Sequence, residues 1–241
     1  MKRISSTSIL ILNVFLGTQL ISAQMPSAQE IVDRSIAYHD PNNNWEGFKG
    51  SFTVEMETPS RPLRTSQIHL DFNKSYFKYV VEQADTTTEG VWNKGNCSHK
   101  LNDSERFTSK EAEKHRLNCE RTTKMKDYYT YLYGLPMKIK DPGTILSEKV
   151  EISSFHGEAF YKIRVDYEEG VGKDVWYFYF DTKDFRLRHY QFYHDLSKND
   201  GEYILLSEEE VVQGIKMPKV RAWYMNNDDR YLGTDVLYSQ K

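Results

Sequence analysis

Alternation of apolar and polar residues dominates the chain and predicts an antiparallel sheet that is covered on one face. Phe52, Val54 and Met56 are apolar and are separated by polar residues, and residues 67–72 repeat this period of two. Successive side chains on a strand point to opposite faces, so such segments present one dry face and one wet face. The pattern therefore predicts strands that line a core on one side only.

The stretch 174–194 predicts a hairpin at the centre of this sheet. Residues 175–180 and 185–193 are rich in β-branched and aromatic side chains, and the turn formers at 181–184 separate them. Alternate residues of the first arm are apolar or aromatic on both faces. This indicates a strand that packs against other groups on each side.

Counting every such segment, the pattern predicts roughly ten strands with short connections, so that neighbours in sequence become neighbours in the sheet. A sheet of this length curls because its strands twist. The predicted strands cover residues 52–57, 67–72, 76–82, 86–92, 161–166, 175–180, 185–193, 202–212, 215–224 and 230–238.

Two helical regions interrupt the strands. Residues 27–30 form a Ser-x-x-Glu capping box before an amphipathic period, which predicts a helix over 27–38. A second box at 108–111 begins a helical insert whose apolar and aromatic stripe ends at residues 134–136. The fold class is therefore α+β: a strongly curved antiparallel sheet wrapped round an N-terminal helix and a central helical insert.

The first 23 residues have the features of a secretory signal. Lys2 and Arg3 precede an apolar stretch at 9–21, and Ala23 offers a small residue for cleavage. The stretch is too short for a membrane span of about 20 residues, which predicts no stable membrane insertion after cleavage. We expect a signal peptide at 1–23, cleavage near Ala23, and one mature domain at 24–241 that is periplasmic or secreted.

Charge and motifs exclude several classes of function. Cleavage changes the formal net charge from −3 to −5, because Lys2 and Arg3 are lost, and an acidic chain without basic runs is a poor nucleic-acid binder. The pairs His39-Asp40 and His194-Asp195 do not form a catalytic arrangement by themselves, and we expect the His39 imidazole to bond backbone in the turn before Pro41. The sequence contains no Gly-x-Ser-x-Gly, His-Glu-x-x-His or EF-hand motif, so we predict neither an enzyme nor a cofactor or metal requirement. A hydrolase with a different site would need His39 or His194 to meet carboxylates in a cleft.

The two cysteines, Cys97 and Cys119, have three interpretations. In an oxidising compartment the simplest is a disulfide. Alternatively, both thiols are free, or they form a zinc site with His99 and His115, since residues 115 and 119 lie one turn apart on a predicted helix. The spacing matches no established zinc motif, which favours the disulfide.

Three short features resemble the outer-membrane lipoprotein carrier superfamily, of the LolA and LppX type. They are the signal followed by an amphipathic helix, the strand and turn at 177–184 before Arg186-Leu187, and the closing turn at 213–219. Thr182 directly follows Asp181, which departs from the Asp-x-x-Thr hairpin of those carriers. Residues 37–41, Trp45 and 131–136 resemble an uncharacterised family of secreted Bacteroidota proteins.

The resemblance implies an incomplete β-barrel closed by helices, in other words a LolA-like half-barrel. Those carriers shield acyl chains of lipoproteins, so the expected function is the binding of a lipid or other apolar ligand between sheet and helices, with transport in the cell envelope and envelope lipoproteins as candidate partners. The predicted ligand-binding residues are Phe52, Val54, Met56, Ile68, Leu70, Phe72, Ile163, Trp176, Phe178 and Phe180.

The alternative function is a non-enzymatic interaction module. In that case the helices fill the interior completely, the barrel is only a scaffold, and exposed loops at 41–45 and 59–64 contact a protein partner.

Overall fold

A single twelve-stranded antiparallel sheet organises the computed structural model, which describes residues 25–155 and 157–240. The predicted signal peptide lies outside the described residues. The strands are β1 (Lys49–Thr58), β2 (Arg61–Asp71), β3 (Tyr76–Gln83), β4 (Thr86–Asn93), β5 (Asn96–Leu101), β6 (Thr144–Phe155), β7 (Glu158–Tyr167), β8 (Val175–Asp181), β9 (Leu187–Tyr193), β10 (Glu202–Val212), β11 (Ile215–Met225) and β12 (Tyr231–Ser239).

The strand order divides the sheet into two wings that meet at β1 and β12. The order is β5-β4-β3-β2-β1-β12-β11-β10-β9-β8-β7-β6, so strands that follow one another along each wing are hydrogen-bonded neighbours. We call β1–β5 the first wing and β6–β12 the second wing. The first and last strands of the chain join them, with Val54 opposite Leu237.

The two edge strands, β5 and β6, lie outside the ten segments predicted from alternation. In β6 the pairing with β7 shifts register between Leu146 and Val150, which breaks the period of two. Ile145 and Ile152 are about half exposed at this edge. An edge strand that is interrupted by a bulge and exposes apolar side chains has no clear sequence pattern.

In the described part of the chain, three α-helices accompany the sheet: α1 (Ala28–His39), α2 (Ser109–His115) and α3 (Cys119–Tyr133). The Ser27 hydroxyl accepts a hydrogen bond from the Glu30 amide at the start of α1. At the start of α2, Thr108 and Glu111 form the reciprocal capping box predicted from the sequence. The helical insert is thus two helices, and the left-handed backbone at Arg116 (φ 53°) separates them.

Helices α1 and α3 both bridge the concave side, because the sheet curls around them. Helix α1 packs against β11 and against the edge strand β6. Helix α3 connects the wings, since Tyr129 stacks on Phe77 of β3 while Tyr131 contacts Trp176 of β8. The structure confirms the predicted α+β class and the open, strongly curved antiparallel sheet.

The concave face carries the core. Phe52 of β1 stacks on Tyr133 of α3, with ring centroids 5.0 Å apart, and is fully buried. The other fully buried side chains of this face include Ile68, Leu70, Ile163, Phe178 and Phe180. This arrangement identifies the inner face of β8 as the one that presents Trp176, Phe178 and Phe180, which alternation alone left open.

Candidate ligand-binding cavity

Helix α1 closes one end of the curved sheet. The buried His39 imidazole at its last residue lies with Nδ1 2.6 Å from the Lys216 carbonyl oxygen in β11, and its Nε2 accepts a hydrogen bond of 3.1 Å from the Leu187 amide in β9. The following loop is also attached, because the Asn44 side chain donates to the Gln213 carbonyl in the β10–β11 turn. Helix and loop together cover the end at which β10 finishes and β11 begins.

These contacts require a neutral His39 that carries its proton on Nδ1. Nδ1–H then donates to the Lys216 carbonyl, which leaves Nε2 as the acceptor for Leu187. Burial lowers the pKa of His39, which outweighs the opposing effect of the bond to the Lys216 carbonyl. The predicted backbone bonding of His39 is therefore present, but it ties α1 to two strands. Asp40, not His39, holds the adjoining turn, because its carboxylate accepts from the amides of Asn44 and Trp45.

The opposite end of the sheet contains a cavity of about 650 Å³ that is open to solvent, which we call the open-end cavity. It lies beside the β1–β2 turn. The C-terminal ends of β1 and β11 and the N-terminal ends of β10 and β12 surround it. Helix α3 contributes Tyr128 to the wall. The lining residues are Met56, Thr58, Pro59, Ser60, Arg61, Tyr128, Glu202, Trp223, Arg230, Tyr231 and Leu232.

Most of the inner wall is aromatic or aliphatic, but a carboxylate lies directly behind it. The Trp223 indole Nε1 donates to Asp235 Oδ2 at 3.2 Å, which fixes the orientation of the ring. Asp235 is 1% exposed, and burial raises the pKa of this carboxyl group against the lowering effects of Arg64 and Arg221. The wall is thus rigid and pre-formed, as ligand pockets usually are.

Two smaller cavities flank α3 and have Lys126 and Thr130 of this helix in common. One, of about 370 Å³, lies on the second wing and is lined by Tyr131, Tyr167 and Trp176 among others. The other, of about 310 Å³, lies on the first wing beside Leu70, Phe72, Phe77 and Trp92. Burial raises the pKa of Tyr167 to about 12, so its hydroxyl stays protonated at neutral pH.

The ten residues predicted to bind ligand all lie in the packed interior or at its margins. Met56 lines the open-end cavity, Trp176 lines the cavity on the second wing, and Leu70 and Phe72 line the one on the first wing. The remaining six are buried to 0–1% exposure in the core beneath the helices: Phe52, Val54, Ile68, Ile163, Phe178 and Phe180.

Several wall residues of the open-end cavity were not predicted from the sequence. Glu202 and Trp223 lie on the adjacent strands β10 and β11, whereas Tyr128 comes from the distant helix α3, which only the fold brings to them. The sequence pattern could have identified Glu202. It alternates with Ile204 and Leu206 on β10, so it is a charged residue on the same face as two apolar ones.

The loops predicted as partner surfaces differ in exposure. Trp45 is 7% exposed, because its ring packs against Phe48 and Phe72. Of the loop predicted at 59–64, only residues 59–60 form a turn, because residues 61–64 belong to β2. Pro59, Ser60 and Arg61 line the open-end cavity.

The cysteines form a disulfide between Cys97 of β5 and Cys119 at the start of α3. This bond uses both sulfur atoms, which rules out the Cys2His2 zinc interpretation in this structure. His99 instead makes a hydrogen bond of 2.9 Å with the Thr122 hydroxyl of α3. Both contacts tie α3 to the edge of the first wing.

The chain has the overall fold of a LolA superfamily protein from Nitrosomonas europaea, at 11% sequence identity and a TM-score of 0.50, covering 89% of this chain and 93% of that one. Similar figures relate it to a protein from Vibrio parahaemolyticus assigned as an outer membrane lipoprotein-sorting protein domain (11% identity, TM-score 0.48, 89% and 92% covered). A DUF1329 family protein from Desulfovibrio piger gives 7% identity and a TM-score of 0.49, with 89% and 92% covered.

No curated protein matches the chain in a sequence comparison. Within the described residues, no helix has the length and apolar character needed to cross a membrane. The model of the family described as a family of unknown function (DUF6503) matches residues 7–240, and the chain therefore belongs to that family.

Proposed function

We propose that this protein is an exported, non-enzymatic binding protein that holds the acyl chain of a lipid or related amphiphile in the open-end cavity, as a carrier in the cell envelope. The observation that carries the proposal is the cavity itself. Its volume of about 650 Å³ falls in the range of ligand pockets, and Met56, Trp223 and Leu232 give it an apolar wall.

The energetics favour an acyl chain as the guest. Each buried methylene contributes about 0.8 kcal/mol, so eight of them supply ~6 kcal/mol before the entropic costs of binding. The cavity is open on one side, which suits an amphiphile whose polar group stays in water while its chain enters. The LolA-type fold supports the same function, since the resemblance implies carriers that shield acyl chains.

Six of the predicted ligand-binding residues lie in the core beneath the helices, outside the open-end cavity. In the structure Phe52 is covered by Tyr129 and Tyr133 of α3. A guest reaches these side chains only when α3 moves away from the sheet. Ligand binding at the open-end cavity needs no such movement, and ligand contact with the six core residues remains a prediction that requires α3 to move.

A cavity-filling variant tests the proposal. Met56→Trp places an indole in the open-end cavity, and Ile152→Trp adds the same ring at a position that is 51% exposed on β6. Wild type and Ile152→Trp are expected to bind a fluorescent fatty-acid probe and to release lipid on organic extraction, whereas Met56→Trp loses most of both signals. Absence of probe binding and of extracted lipid in the wild type would overturn the proposal.

A further inference from the structure

A single carboxylate breaks the apolar face of β10 at the wall of the open-end cavity. Glu202 points to the same side of the strand as Ile204, which is fully buried, and Leu206, which is 7% exposed. Its strand neighbours are Phe192 and Met225, neither of which offers a charge. Burial raises the pKa of Glu202, because it disfavours the charged form of the carboxyl group, and this outweighs the lowering effect of His194.

Within the described part of the chain, no side chain forms an ion pair or hydrogen bond with Glu202. His194 attracts it through space, but the His194 Nδ1 is bonded to Asp174 at 2.8 Å. A partly buried carboxylate without a partner costs free energy, and such groups are normally paired. Glu202 lines the cavity, so an incoming cation can meet its carboxylate there.

The surroundings of Glu202 suit an organic cation. Trp223, Tyr128 and Tyr231 line the same cavity, and the faces of such rings attract an ammonium group. The Trp223 ring is held in place by its bond to Asp235, so its face needs no reorganisation on binding. Thr58 also lines the cavity, and its buried hydroxyl has no hydrogen-bond partner among the described residues.

Two arginines at the mouth of the cavity would instead favour an anionic head group. Arg61 and Arg230 line the cavity but are exposed, and Arg230 lies 3.7 Å from the Asp228 carboxylate. Exposed charges are well solvated and contribute little to binding. The half-buried carboxylate is therefore expected to dominate the choice of head group.

We propose that the open-end cavity selects amphiphiles whose head group carries an ammonium, which pairs with Glu202 beside the Trp223 ring. This inference rests on the proposed function, because it names the class of amphiphile for the same cavity. The alkyl chain would lie against Met56 and Leu232, on the apolar part of the wall.

The test uses three amphiphiles of equal chain length below their micellar concentrations: dodecylammonium, the neutral dodecyl maltoside and dodecanoate. Calorimetric titration of the full mature chain is expected to give the tightest binding for dodecylammonium, by about tenfold over the neutral probe, as for a charge-assisted hydrogen bond. Glu202→Gln is expected to abolish this preference, so that dodecylammonium and dodecyl maltoside bind the variant with similar affinity. Glu169→Gln, in the exposed β7–β8 turn, is the matched control and should behave as wild type.

The outcomes separate this inference from the proposed function. Failure of all three probes to bind wild-type protein overturns the proposed function. Binding of the neutral or anionic probe as tightly as the ammonium, or an unchanged preference in Glu202→Gln, overturns the selectivity alone. The wild-type ranking decides the question even if the variant does not fold, and Glu202→Asp, which keeps the charge, should retain part of the preference.

Discussion

Gly134 lies so close to Trp45 that a Cβ atom at position 134 would come within 2.3 Å of Cζ2 of the indole. Trp45 belongs to the loop after α1, and Gly134 directly follows α3. The contact therefore holds the C-terminal end of α3 against the loop that follows α1. Only a residue without a side chain permits this approach.

Gly134→Ala is accordingly expected to destabilise the fold by about 1–3 kcal/mol, the usual cost of overpacking a filled core. Urea unfolding followed by tryptophan fluorescence measures the change. The matched control is Gly47→Ala, because an added Cβ at this exposed position meets nothing closer than an Asn73 side-chain atom at 3.7 Å. Equal free energies of unfolding for the two variants would show that the Trp45 ring can move aside without loss of stability.

The disulfide gives a second prediction. Cys97 and Cys119 are 22 residues apart in sequence, and closing a loop of this size stabilises a fold by about 3 kcal/mol. The double variant Cys97→Ser/Cys119→Ser is expected to lose roughly this amount in urea unfolding. Reductant should lower the wild type to the stability of the variant and leave the variant unaffected, whereas a wild type that is insensitive to reductant would contradict the prediction.

A pair of buried charges on neighbouring strands gives a third prediction. Arg221 and Asp235 occupy paired positions on β11 and β12, and both are 1% exposed. The Arg221 Nη1 donates to the Pro218 carbonyl at 2.7 Å, and its guanidinium lies 4.0 Å from the centre of the Tyr133 ring. The arginine thus connects the sheet to α3.

Removal of Arg221 takes away one of the two guanidinium groups that lower the pKa of Asp235, the other being Arg64. Removal of the Asp235 charge leaves the buried Arg221 with only the Pro218 carbonyl and the Tyr133 ring. Arg221→Met is expected to destabilise the fold by about 3 kcal/mol, and Asp235→Asn by a similar order. The double variant should lose less than the sum, with a coupling of about 1 kcal/mol or more, because the neutral pair carries no buried charge. Strict additivity in the unfolding free energies would show that the two side chains act independently.

Stability is also expected to depend on pH through His39. Burial holds the pKa of His39 below its ordinary value of 6.5, so the unfolded chain binds a proton first as pH falls. The contribution of His39 to stability should be constant above this value and should decline as pH drops below it. Burial lowers the pKa of His69 and His99 in the same direction, whereas the bond to Asp174 raises that of His194.

Thermal unfolding from pH 8 to pH 5 in two variants isolates these contributions. His39→Gln is expected to flatten the decline, because the proton-binding difference at this site is removed. His194→Gln should steepen it, because a raised folded pKa adds stability at low pH that is lost as pH rises through that pKa. Parallel profiles for wild type and His39→Gln would exclude His39 as a determinant.

Alternation predicted most strands because each has one buried face. In β1 the buried Phe52 and Val54 alternate with more exposed residues, and the structure retains this period. The period fails in β6, where a bulge and an exposed edge remove the difference between the two faces. Local patterning thus predicts strands that face a core and misses those that end a sheet.

Helix α3 shows a different limit of sequence analysis. Its apolar and aromatic stripe predicted a helix with one buried face, and Met125, Tyr129 and Tyr133 are indeed buried. The stripe does not specify which strands the helix contacts, and this choice decides how much of the concave face is covered. The open-end cavity is the part that α3 leaves uncovered, so its wall could not be assigned from the sequence.

The pairing of β1 with β12 has a consequence for how the chain is made. Each wing can assemble from hairpins as the polypeptide emerges, because all strand pairs except β1–β12 join strands that are consecutive in sequence. One side of β1, however, keeps a row of unpaired amides and carbonyls until the last strand has been synthesised. The sheet is therefore completed by the pairing of β1 with β12, which has the greatest sequence separation of any strand pair in the described residues. Before that pairing forms, the nascent protein is most vulnerable to pairing with another copy of itself.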